Sequence, residues 1–228
     1  MSVSGGATAT WVSNEGTVTG NPLGMASNLT FSGSGELDNG TSFTMSVTHD
    51  DKNSFSSSAL TLNTPNMGTI GIDMGAGGQG IDRLDDKMPT AWEETTGTGT
   101  GTGMQTIAGV GGGGNIEWTA QDGLLPDGVS LNVAFAPKAG VAASNDKATS
   151  GSSSDGINSG FDVVVQHSGL YDGLNVFAGY SSIDQKDEAT TTGNNTSTGW
   201  GATYAVGSFT VGYQETRNST NLRESTDH

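Results

Sequence analysis

Apolar and polar residues alternate one by one through much of this chain. Leu29, Phe31, Gly33, Gly35 and Leu37 share one side of an extended segment, and Thr30, Ser32, Ser34 and Glu36 share the other. Asp38-Asn39-Gly40 then provides a turn signal, because Asn and Gly tolerate positive φ. Phe43, Met45 and Val47 resume the apolar side opposite Ser42, Thr44, Ser46 and Thr48. The pattern returns in Val129, Leu131, Val133 and Phe135, in Phe161, Val163 and Val165, and in Leu174, Val176, Ala178 and Tyr180. Trp200, Ala202 and Tyr204 lead to a last row of Phe209, Val211 and Tyr213. A period of two is the signature of a strand with two unlike faces. It predicts strands at 2–12, 28–37, 42–49, 56–63, 69–75, 114–121, 128–136, 160–168, 173–182, 198–206 and 208–216.

The links between these strands alternate as well. Short ones lie near 38–41, 64–68, 122–127, 169–172 and 207; long ones are 13–27, 50–55, 76–113, 137–159 and 183–197. An up-and-down arrangement places all tight turns on one rim and all loops on the other, whereas a β-sandwich with Greek-key crossings has no reason for such parity. No Asp, Glu, Lys or Arg enters the apolar rows. That matters in a lipid-facing wall, where an Arg or Lys at mid-bilayer costs roughly 2–4 kcal/mol. The predicted fold is therefore all-β, an antiparallel up-and-down transmembrane β-barrel, with about 11 strands within this sequence.

Composition narrows the choice. The chain has 228 residues, 37 glycines, 5 prolines, no cysteine and a formal charge of −16, and only 32% of it is hydrophobic. Such values fit either a disordered acidic chain or a barrel with a wet lumen and polar loops; the alternation selects the barrel. No run approaches the roughly 20 apolar residues of a membrane helix. The acidic balance argues against nucleic acid as a partner. Met1 leads straight into strand-like residues, so an export signal is expected to have been removed. An odd strand count leaves two edges unpaired in lipid, which predicts that residues 1–228 are one β domain, incomplete at its C-terminal end.

Several motif matches carry other chemistry. Gly75-Ala76-Gly77-Gly78-Gln79-Gly80 fits G-x-G-x-x-G, but no βαβ unit surrounds it. Gly77 to Asp85 fits one copy of the calcium nonapeptide, which needs adjacent copies to bind. It nevertheless supports the alternative reading of a secreted, acidic, Gly-rich calcium-binding β-roll or adhesin-type surface protein. A soluble β-sandwich enzyme is the third reading. His49, His167 and His228 are dispersed, no G-x-S-x-G is present, and Asp50/Asp51, Asp85/Asp86 and Glu93/Glu94 are adjacent acids with no catalytic spacing. The chain is read as no enzyme and as needing no cofactor, with divalent cations bridging the outer-loop carboxylates as a further expectation.

Val3-Ser4-Gly5-Gly6-Ala7-Thr8, the hairpin from Phe31 to Val47, and Gly68-Thr69-Ile70-Gly71-Ile72 together resemble the general porins of Gram-negative bacteria, most closely the alphaproteobacterial branch. The resemblance spans 1–228 by pattern. It implies an outer-membrane homotrimer of roughly 16-stranded barrels, each a passive diffusion channel for ions and small polar solutes, in a full chain on the order of 330 residues. It also implies that the longest link, 76–113, folds into the lumen as the constriction. That link carries Asp82, Arg83, Asp85, Asp86, Lys87, Glu93 and Glu94. Ile81, Leu84 and Met88 fall at helical spacing and Pro89 ends the run, so a short helical turn is predicted with its apolar side against the wall. The lumen rows offer Glu36, Asp73, Glu117 and Asp162 as pore-lining acids and no base, which departs from the family pattern and predicts weak cation selectivity. Small residues on the first strands (Gly5, Ala7, Ala9, Gly33, Gly35) are a candidate trimer contact, and Trp11, Tyr180, Trp200 and Tyr213 a candidate aromatic girdle.

Overall fold

Each predicted strand forms, and each pairs with its sequence neighbours. The computed structural model describes residues 1–11, 23–50, 57–74, 76–89, 109–112, 114–137, 139, 157–185 and 193–219. The strands are β1 (Ser2–Trp11), β2 (Leu23–Glu36), β3 (Ser42–Asp50), β4 (Ser57–Thr64), β5 (Gly68–Met74), β6 (Gly114–Thr119), β7 (Val129–Ala136), β8 (Ile157–Ser168), β9 (Leu174–Gln185), β10 (Asn194–Val206) and β11 (Phe209–Ser219). They make one antiparallel sheet of eleven strands in sequence order. Among the described residues β1 and β11 do not pair with each other, so the sheet is open. A β-roll is a parallel structure, and this all-antiparallel ladder is not one.

The first hairpin shows how local chemistry sets the register. Gly40 adopts φ +79°, a left-handed conformation that favours glycine because it has no Cβ. The Asn39 side chain accepts the Thr41 amide at 3.0 Å, and Leu37 and Thr41 close the turn through a 2.8 Å backbone bond. Phe31 then faces Val47, and Gly35 faces Phe43, whose ring covers the space a side chain at Gly35 would fill.

Several strands reach further than the segments expected from the sequence. β2 begins at Leu23, where it pairs with Trp11, and β8, β9 and β10 extend to Ile157, Gln185 and Asn194. The β2 extension, Leu23 to Ser27, continues the apolar alternation in the sequence through Leu23 and Met25; those of β8 (157–159) and β10 (194–197) are mostly Ser, Thr and Asn, and that of β9 is Ile183-Asp184-Gln185. A ladder satisfies backbone groups whatever the side chains, so polar sequence continues a strand once a neighbour is in register. One consequence corrects the girdle expectation: Tyr180 and Trp200 lie midway along β9 and β10, not at their ends.

Register carries the apolar side across the whole sheet. Phe43, Leu62, Ile70, Trp118, Val133, Val163 and Tyr180 follow one another from β3 to β9. This face is uncovered: Ile116 is 44% exposed, Phe135 48%, Trp200 50% and Tyr213 60%. The opposite face holds the buried residues, including Ala134, Asp162, Val164 and Phe177.

What covers that second face is a 3-10 helix at Gly80–Lys87, with a shorter 3-10 turn at Gly109–Gly112. Ile81, Leu84 and Met88 pack on Val164 and Phe177, and Val110 packs on Ala134, Ala136, Ala139 and Ile183. The predicted helical turn and its apolar contact with the wall are both present, as a 3-10 helix. The contacts also require curvature. Gln79 lies against Gly71 of β5, while the Leu84 carbonyl accepts a hydrogen bond from Gln214 of β11 at 3.0 Å. On a flat sheet those strands stand roughly 29 Å apart at the usual spacing. Five residues of 3-10 helix advance only about 10 Å. The sheet therefore curls around the segment, polar side inward and apolar side outward.

Candidate functional site

The inner face becomes a site where segment 76–89 meets three buried carboxylates. Asp73, at the end of β5, takes the chain as it leaves the strand: its Oδ1 accepts the Ala76 amide at 2.8 Å and its Oδ2 the Gly77 amide at 3.2 Å. Glu117 of β6 accepts the Gly80 amide on Oε2 at 2.7 Å and pairs with the Arg83 guanidinium through Oε1. Asp162 of β8 accepts two amides on one oxygen, from Ile81 at 2.9 Å and from Val110 at 3.0 Å. A carboxylate joined to several N–H donors makes charge-assisted bonds, stronger than neutral ones.

Two glycines make the Asp162 contact possible. Gly80 and Gly109 adopt φ +58° and +52°, and a Cβ on either would come within 2.3 Å of Asp162 Oδ2. The backbone approaches this carboxylate at distances no side chain permits. Signals for the clamp were present in the sequence: acids at inward strand positions, and glycines flanking Ile81 and Val110. Nothing in a linear pattern says which acid meets which amide.

Of the residues expected in the inserted loop, Asp82, Arg83, Asp85, Asp86 and Lys87 all lie in the Gly80–Lys87 helix. Asp82 accepts the Gly78 amide at 2.6 Å, and Arg83 reaches Glu117. Lys87 ends the helix; burial pushes its ammonium below the usual lysine range, and the Arg83 guanidinium acts in the same direction. Glu93 and Glu94 lie outside the described residues. Among the expected wall acids, Asp73, Glu117 and Asp162 converge on the segment, while Glu36 stands exposed at the end of β2. The expectation that the facing wall holds no base stands beside an ion pair in which the loop supplies the base and the wall the acid.

On the short-turn side of the helix lies a cavity of about 420 Å³, lined by Lys87, Ser130, Gln166, Asn175, Phe177 and Thr203 among others. Among the described residues no group of three or more His, Asp or Glu is placed to hold a metal ion. Gly80 opens the 3-10 helix, and among the described residues the chain returns to the antiparallel sheet at β6 with no βαβ unit. No family matches the chain by sequence, and no curated protein does.

Proposed function

We propose that this chain forms the wall and the constriction of a β-barrel diffusion channel in the outer membrane of a Gram-negative bacterium. The single observation that carries this reading is the uncovered apolar face running across the sheet with a polar, curved, loop-filled face behind it. Soluble monomers rarely expose contiguous apolar patches larger than a few hundred Å². In a bilayer such a face is the required surface, because a wall that meets lipid must be apolar. The solutes are ions and small hydrophilic molecules, sorted by bore and by fixed charge near Asp82, Arg83, Asp85, Asp86 and Lys87.

The formal charge of −16 favours weak selectivity for cations. Self-association as a trimer through β1 and β2 is part of the same reading, supported by the open space at Gly33, where an added Cβ meets nothing.

Conductance in planar bilayers tests the proposal. Stepwise current with a reversal potential on the cation side supports it; a chain that stays monomeric in detergent-free buffer and gives no current overturns it. Spin labels placed singly from Val129 to Phe135 give a second readout. Labels at Leu131, Val133 and Phe135 are expected to favour oxygen over nickel chelate, and that at Ser130, exposed on the other face, the reverse. Absence of alternation sinks the reading. Phe135→Arg is expected to lower stability in lipid by about 2–4 kcal/mol.

A further inference from the structure

The cavity on the short-turn side of the 3-10 helix has the features of a ligand site. Its volume of about 420 Å³ falls in the range of roughly 300–1,000 Å³ typical for small ligands. Strand register puts Ser130, Gln166 and Phe177 in one inward row and Asn175 beside Thr203 in another. Four neutral hydrogen-bonding side chains thus stand around an aromatic floor. Phe177 itself is buried under Ile81 and Leu84, so the floor is fixed by packing.

The charges are unequal in availability. Asp73, Glu117 and Asp162 are already occupied by amides of the inserted segment, and Glu117 by Arg83 as well. Lys87 lines the cavity and is in no ion pair among the described residues. It is partly buried, with Arg83 nearby on the same helix, and burial first and then Arg83 lower its pKa. Asp122, from the turn after β6, and His167 of β8 are the other titratable groups on the lining.

We propose that this cavity binds small hydroxylated monocarboxylates of sugar-acid type, with Lys87 taking the carboxylate and Ser130, Gln166, Asn175 and Thr203 the hydroxyls. Lys87 is the one Lys or Arg on the lining and offers a carboxylate an ammonium donor, and amide and hydroxyl groups exchange hydrogen bonds with a polyol in either direction. The biological meaning rests on the channel reading, in which the cavity is a vestibule on the path of the solute.

Saturation-transfer NMR on the full chain in detergent micelles, with sodium gluconate and sorbitol as probes, tests the assignment. Gluconate is expected to bind about tenfold more tightly than sorbitol, the scale of one charge-assisted hydrogen bond. Lys87→Gln is expected to erase that preference and Lys87→Arg to retain it. Raising the pH erases it too, as Lys87 loses its proton below the usual lysine range, and Asp122→Asn and His167→Gln leave that step in place. Equal binding of the two probes, an unchanged preference in Lys87→Gln, or a preference indifferent to pH overturns the proposal. If Lys87→Gln does not fold, the wild-type preference and its pH dependence decide. The micelle measurement needs no current: a gluconate preference without conductance upholds the site and removes the channel, and conductance without the preference does the opposite.

Discussion

The inner face has two halves that share a register and differ in chemistry. One ladder row runs Ser34, Thr44, Thr61, Gly71, Glu117, Ala134, Asp162, Ser181 from β2 to β9. Its first members carry short hydroxyls. Such groups are satisfied by one another, as between Thr30 and Thr48 at 3.0 Å, or by water. Its later members carry carboxylates, and these are buried under the inserted segment. The outer face is apolar on both halves. The contrast teaches that a loop settles where carboxylates meet its free amides in charge-assisted bonds, whereas hydroxyls, which also accept amides as Thr64 does from Met67, offer the weaker neutral bond.

Asp162→Ala is expected to have the largest effect. It leaves the Ile81 and Val110 amides without their acceptor, which costs about 2–4 kcal/mol for two buried donors. The measurement is denaturant unfolding in micelles. A cost no greater than that of Thr44→Ala breaks the comparison. Gly80→Ala attacks the same contact from the other side, because its Cβ would meet Asp162 Oδ2 at 2.3 Å and its backbone sits at φ +58°. A loss of about 1–3 kcal/mol is expected from strain at such a position.

Arg83→Met follows. It leaves Glu117 with its amide partner but without the guanidinium, and about 1–2 kcal/mol is expected for a half-buried pair after allowance for solvent screening. Ser34→Ala and Thr44→Ala, on the hydroxyl half, are expected to change stability by less than about 0.5 kcal/mol. If they match Arg83→Met, the two halves are held alike and the contrast fails.

The smallest effect belongs to Lys87. Its pKa is lowered in the folded state, chiefly by burial, so the charged form is disfavoured there relative to the unfolded chain. On raising the pH the folded state releases this proton first, and stability rises through that range. A shallow alkaline increase in the denaturation midpoint is expected, and Lys87→Met should abolish it without lowering stability.

The sequence alone determined the strands, their order of turns and loops, and which residues look outward. Period-two alternation is a local property, and a tight turn such as Asp38-Asn39-Gly40 fixes its own register. The same reasoning found the helical turn, because Ile81, Leu84 and Met88 are close in the chain. Tertiary structure decided the rest. The extensions of β8, β9 and β10, with few apolar residues, exist only because a neighbour is in register. Tyr180 and Trp200 fall in mid-strand for that reason. The acids read as pore-lining include three that hold amides of the inserted segment, and Lys87 gains its cavity from strands β7 to β10. Asp162 lies 81 positions from Ile81 along the chain. Hydrogen bonds over such separations depend on how far the sheet curls, and curvature is a sum over many strands that no local pattern contains.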